Sequence, residues 1–208
     1  MIFQVLAVAF AGISAVLAAP TPPPPHGGIP PPDLGPQYFF RCHAPEQPWH
    51  QRHLVLLPSS QLLGLENFTV HPTTPPFTFT PIPIPSTPNY AFRAPFAGDD
   101  RTATPYLSAI STTASRSSNL GVLPGPDPNH IARCPEQKNC SANAFSVYDG
   151  DTGFKRLSLE VFPGAFEAVK DAPNGEGWHV YWRGSGGPTA WDRAIEFDIV
   201  PIELLEEK

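Results

Sequence analysis

Between positions 178 and 191 the chain carries Trp178, Tyr181, Trp182 and Trp191, with His179, Arg183 and Asp192 interleaved. Aromatic faces stack on the apolar faces of sugar rings, and neighbouring imidazole, guanidinium and carboxylate groups bond the hydroxyls, so this is suitable chemistry for carbohydrate capture. Strand parity sorts the candidates. Trp178 and Trp182 share the parity of Val180 and belong to a core, whereas His179, Tyr181 and Arg183 fall on the opposite face. Tyr181 and Trp191 are therefore the expected stacking residues, with His179 and Arg183 as their polar neighbours.

Other chemistries fail on spacing. Asp151-Thr152-Gly153 matches the short signature of aspartic proteases, but those need two such loops to bring two carboxylates together, and the chain has one copy. Turn chemistry explains the same residues. Asp149, Asp151 and Glu160 occupy positions 1, 3 and 12 of a calcium loop, yet Gly153 and Phe154 stand where that loop needs an oxygen ligand and a glycine. Cys42, His43, His50 and His53 are close in sequence without the paired spacing of a zinc site. Ser185 lies among glycines, but Arg183 replaces the first glycine of a nucleophile elbow. Glu160 and Glu167 could flank a glycosidic bond only if the fold brought them together. No catalytic residue, metal or cofactor is expected.

The elements that must position these residues are strands. The chain has 208 residues with 29 prolines, which interrupt long helices at about 3 kcal/mol per interior site. Over 144–202, alternating runs are separated by turn clusters: Phe145 and Val147; Leu157, Leu159 and Val161; Phe166 and Ala168; Trp178, Val180 and Trp182; then Ile195, Phe197 and Ile199. Asn174-Gly175 is a hairpin signal. This pattern predicts an antiparallel meander with one dry face and one wet face. Segments 38–42, 53–57, 61–65 and 68–71 also alternate, and are too short to fold without the C-terminal sheet. The expected architecture is all-β: a single antiparallel sandwich or barrel-like domain over 37–204, with an acidic tail at 205–208. Proline-rich 72–98 is expected as an extended crossover, and the Ser- and Thr-rich stretch 108–118 as an exposed loop.

The N-terminus sets the expected compartment. Residues 2–17 are apolar apart from Gln4, Gly12 and Ser14, too short for a membrane span but suited to a signal peptide cleaved after Ala18. Proline-rich 19–36 follows as a polyproline arm. Asn67-Phe68-Thr69 and Asn139-Cys140-Ser141 are glycosylation acceptors. Cys42, Cys134 and Cys140 allow three single pairings, with Cys134–Cys140 closing the shortest loop. A formal net charge of -6 argues against a nucleic-acid partner.

The short uncharged leader ending Ala18-Ala19-Pro20, the proline-rich segments, the two sequons and the few cysteines resemble the small secreted proteins of filamentous fungi. The resemblance is one of style over the whole chain, and implies a cell-wall-associated or host-directed extracellular protein. The expected function is thus that of a secreted, glycosylated, non-enzymatic β protein that binds cell-wall polysaccharide or an extracellular protein, with no membrane contact after leader removal. A secreted polysaccharide hydrolase with unidentified carboxylates and a protein-binding effector are the alternatives.

Overall fold

The computed structural model describes residues 35–96, 103–112, 116–184, 197–199 and 201–207. The leader at 1–18, nearly all of the arm at 19–36, and Ser185, Trp191, Asp192 and Ile195 lie outside them. The described residues form strands β1 (Tyr38–Cys42), β2 (Val55–Leu56), β3 (Leu63–Glu66), β4 (Thr78–Pro83), β5 (Asn89–Arg93), β6 (Thr104–Thr112) and β7 (Ser117–Gly125). They continue through β8 (Lys138–Ser141), β9 (Phe145–Asp149), β10 (Lys155–Leu159), β11 (Gly164–Val169), β12 (Gly177–Gly184), β13 (Phe197–Ile199) and β14 (Ile202–Glu206). The fold is all-β and antiparallel, and no helix among the described residues is long and apolar enough to cross a membrane.

Six strands close a barrel in the order β5-β4-β1-β14-β10-β9, and Tyr90 opposite Phe145 returns β9 to β5. Closure removes the unpaired edges that an open sheet would expose. Phenylalanines from four of these strands fill the ring. Phe40 of β1 lies 5.0 Å from Phe79 of β4 and 5.2 Å from Phe92 of β5, which in turn lies 5.8 Å from Phe145 of β9. From β5 the sheet continues outward as β6, β7, β12, β11 and β13, with β8 on β6 and the β2–β3 hairpin on β12. Val180, Trp182, Phe166 and Ala168 of this outer part join the same core cluster as the barrel phenylalanines.

Several expectations change. The proline-rich stretch 72–98 is not a crossover but supplies the hairpin β4–β5. Ile84 N–H donates to Asn89 O at 2.9 Å, so even-numbered residues of β4 aim their amides at β5 and odd-numbered ones away. Pro81 and Pro83 are odd, and β1 pairs only with Thr78 and Phe79, so neither proline costs a ladder bond. Where it is described, the Ser- and Thr-rich stretch 108–118 is mainly strand rather than exposed loop: 108–112 end β6 and 117–118 open β7, Ala109 opposes Leu120, Ser111 opposes Ser118, and both Ser108 and Ser118 are fully buried.

The C-terminal half is not one meander. β9–β10 belongs to the barrel and β11–β12 to the outer sheet, so successive hairpins part company. Residues 68–71 form a turn on Asn67 O, and Val161 falls past the end of β10 and is exposed. The tail at 205–208 is partly strand, since Leu205 and Glu206 pair with Phe39 and Tyr38.

Cys134 and Cys140 form the disulfide, with 5.7 Å between their Cα atoms. Cys42 is left as a buried thiol whose Sγ lies 2.7 Å from Trp49 O and 3.1 Å from Arg52 O. Burial disfavours its thiolate more than nearby backbone hydrogen bonds and the Arg41 charge favour it, and the thiol is pushed up to about 12. Native protein is therefore expected to be inert to a thiolate-specific disulfide reagent at mildly alkaline pH, with one equivalent reacting once denaturant is added. Rapid reaction of the native protein would show that the β1 end of the barrel opens.

Candidate functional site

The site lies on the odd-numbered face of β11 and β12. Pairing sets Glu167 opposite Tyr181, Ala165 opposite Arg183 and Val169 opposite His179, so Glu167, His179, Tyr181 and Arg183 share one face. Val169 is the last β11 residue in that register, and Asp171, two residues on, keeps its parity. The Asn174-Gly175 turn then reverses the chain, with both residues at positive φ (58° and 71°) as the hairpin signal requires.

Asp171 organises this face. Its Oδ1 lies 2.8 Å from His179 Nδ1, and its Oδ2 accepts a 2.6 Å hydrogen bond from the Tyr181 hydroxyl. The other imidazole nitrogen, Nε2, lies 2.9 Å from Ser60 Oγ. One row further along, Arg183 Nη2 pairs with Glu167 Oε1 at 2.6 Å, a diagonal cross-strand contact. Burial pushes the Glu167 carboxyl above its usual range, and the neighbouring guanidinium opposes this without cancelling it.

Ser60 arrives from the turn between β2 and β3. Gln61, at φ 56°, donates its amide to Leu57 O at 2.8 Å and closes that turn, while Leu62 N–H donates to Ser60 Oγ at 3.3 Å. The hairpin is seated on β12 through Trp178 opposite Leu65 and His179 opposite Gly64. Gly64 is needed there because a Cβ would strike the Trp178 carbonyl and the Leu57 side chain. Ser59 fastens the turn further, since its amide and hydroxyl both donate to the Glu176 carboxylate.

The expected wet face is thus largely dry. His179 is 7% exposed and Glu167 3%, and Tyr181 and Arg183 are half-buried. Burial on this side follows from the carboxylate partners, which satisfy the polar groups that parity places there. Parity itself holds: Val180 and Trp182 are core residues, and Trp178 packs partly against the core. Trp182 Nε1 donates to Phe162 O at 3.1 Å.

Of the residues expected to bind carbohydrate, His179, Tyr181 and Arg183 come together, and Trp191 lies outside the described residues. Asp171 was legible in principle from its parity with Val169, but Ser60, 119 positions before His179, left no local signal. The acidic candidates have other partners: Glu160 accepts from Ser146 Oγ at 2.6 Å, Lys155 Nζ pairs with Asp149 at 2.6 Å, and Arg156 pairs with Asp151. Thr152 donates to Glu203 at 2.8 Å. Among the described residues no group of His, Cys, Asp and Glu side chains is placed to hold a metal ion.

Chemically, the face offers a fixed aromatic ring, a carboxylate–imidazole–hydroxyl relay and a guanidinium–carboxylate pair. No family model matches the chain, and neither a curated protein nor a solved structure matches it, so the functional conclusion rests on this geometry.

Proposed function

We propose that the protein is secreted and acts outside the cell by binding carbohydrate at the β11–β12 face. The observation that carries this reading is Tyr181. Its hydroxyl is held on Asp171 at 2.6 Å while its ring stays partly exposed, so a sugar can stack on it without first ordering the side chain. Arg183 on the same strand face supplies donors for hydroxyl groups, and His179 acts only behind them, by holding Asp171 in place.

Secretion is supported by the apolar leader sequence and by the Cys134–Cys140 bond, which suits an oxidising compartment. Both acceptor asparagines suit glycosylation. Thr69 turns its amide and hydroxyl onto Asn67 Oδ1 in an exposed turn, and Asn139 is exposed on β8.

Retention on insoluble chitin or glucan tests the reading. Wild-type protein should be retained, and Tyr181→Ala should weaken retention about tenfold, which corresponds to about 1.4 kcal/mol. Tyr181→Phe, which keeps the ring, should lose less. Wild-type protein that passes through every polysaccharide tested would end the carbohydrate reading.

A further inference from the structure

We propose that Ser60, His179 and Asp171 constitute a nucleophile, base and orienting carboxylate that hydrolyse carboxylic esters. The inference goes beyond carbohydrate binding and does not depend on it.

Proton bookkeeping gives the hydrogen bonds their direction. An ionised carboxylate only accepts, so the 2.8 Å contact places the imidazole proton on Nδ1. In the neutral imidazole Nε2 is then a lone pair, and the Ser60 hydroxyl, 2.9 Å away, donates to it. This is the order of contacts by which a base takes the proton of an attacking serine, with the third group fixing the tautomer.

The surroundings hold each member in place. Tyr181 occupies the second carboxylate oxygen and so fixes the Asp171 plane. The amide of Leu62 donates to Ser60 Oγ, and the Ser59–Glu176 bonds tether the turn that carries it. His179 is buried beneath the turn, whereas Ser60 is only half-buried and can meet an ester from solvent. The N–H of Ser60 donates to no acceptor among the described residues and is available to the oxyanion.

In the first step Ser60 Oγ attacks the ester carbon as its proton passes to His179 Nε2. The tetrahedral intermediate collapses with loss of the alcohol, which takes that proton, and Ser60 is left acylated. Water then attacks the acyl carbon, giving its proton to His179, and the carboxylic acid leaves as Oγ recovers a proton. No oxidant or reductant enters. Asp171 is a positioning residue, because it acts through His179.

The test uses the full secreted chain with p-nitrophenyl acetate as substrate and a fluorophosphonate as a covalent probe. Wild-type protein should hydrolyse the ester and carry the probe on the peptide containing Ser60, identified by mass. Ser60→Ala should lose both while still unfolding in one cooperative transition, with a melting temperature lowered only by the loss of the hydroxyl's bonds to His179 and Leu62. Asp171→Asn should lower kcat by about 10²–10⁴ with KM unchanged, because His179 then loses the tautomer in which Nε2 can act as the general base, and Asp171→Glu should restore part of it. Probe labelling is read on the wild-type chain and needs no variant to fold. An unlabelled Ser60, or hydrolysis no faster than that of Ser60→Ala, overturns the assignment; retention measured in parallel reports separately on carbohydrate binding.

Discussion

Replacing Arg41 with alanine is expected to cost about 3–5 kcal/mol at neutral pH, because it strands a charge inside the protein. Arg41 and Glu203 face each other across β1 and β14, and the guanidinium reaches Glu203 Oε2 at 2.7 and 3.1 Å. Thr152 donates to Oε1 at 2.8 Å, and His43 Nδ1 lies 3.3 Å from it. The Glu203 side chain has no exposed surface. Burial pushes its carboxyl upward, but the bonds from Arg41 and Thr152 outweigh burial, and the carboxyl lies below its ordinary value of 4.5.

The sign of the pH effect follows. A carboxyl with a lowered folded-state value stabilises the fold fully above the unfolded value, and that contribution is lost as pH falls through the folded value. Wild-type protein should therefore weaken in acid below about pH 4.5. Without Arg41, burial dominates, and the carboxyl folds more easily protonated. The variant's deficit should accordingly shrink on going from about pH 7 to about pH 4. Urea unfolding of both proteins at the two pH values measures this, and the double change Arg41→Met with Glu203→Leu should recover much of the loss. An equal deficit at both pH values would assign the loss to the stacking of the Arg41 guanidinium on Phe154, its Cζ 4.8 Å from the ring centroid.

Phe92→Ala is the second large effect, at about 3–5 kcal/mol. The ring is fully buried and touches Phe40, Phe79, Tyr90 and Phe145, so it joins β5 to β1, β4 and β9 inside the closed ring of strands. Its loss leaves a cavity that side chains from three other strands, and Tyr90 of its own, would have to collapse around. A melting temperature lower by roughly 10 °C is expected for a domain of this size. Phe92→Leu keeps most of the volume and should cost about 1.5 kcal/mol or less. If alanine were tolerated as well as leucine, the barrel would not be held by this cluster.

The effects differ in kind. Phe92 is a matter of filled volume and is insensitive to pH, whereas Arg41 neutralises a carboxylate that the fold has already removed from water. Both depend on contacts between strands far apart in the chain.

Much of the β architecture was legible in the sequence. Alternation in 145–149, 155–159 and 177–184 depends only on the two-residue period of an extended chain with a buried face, and the Asn174-Gly175 turn depends only on local φ preferences. The parity of Trp178, Val180 and Trp182 against His179, Tyr181 and Arg183 followed from the same period. Composition misled where local preference and sheet position disagree. Pro81 and Pro83 are tolerated because their ring nitrogens face the side that β1 does not reach, and Ser108 and Ser118 are buried on β6 and β7, interior strands paired on both sides.

The sequence by itself determined that the chain pairs strands, where several of them turn, and which side chains of β12 share a face. Only the tertiary structure decided that six strands close a ring, that Cys134 meets Cys140 while Cys42 stays buried, and that Ser60 meets His179 and Asp171. The reason is range: period and turn chemistry act over a few residues, whereas closure and the Ser60 contact depend on which distant strand is adjacent, a choice made by packing of the whole core.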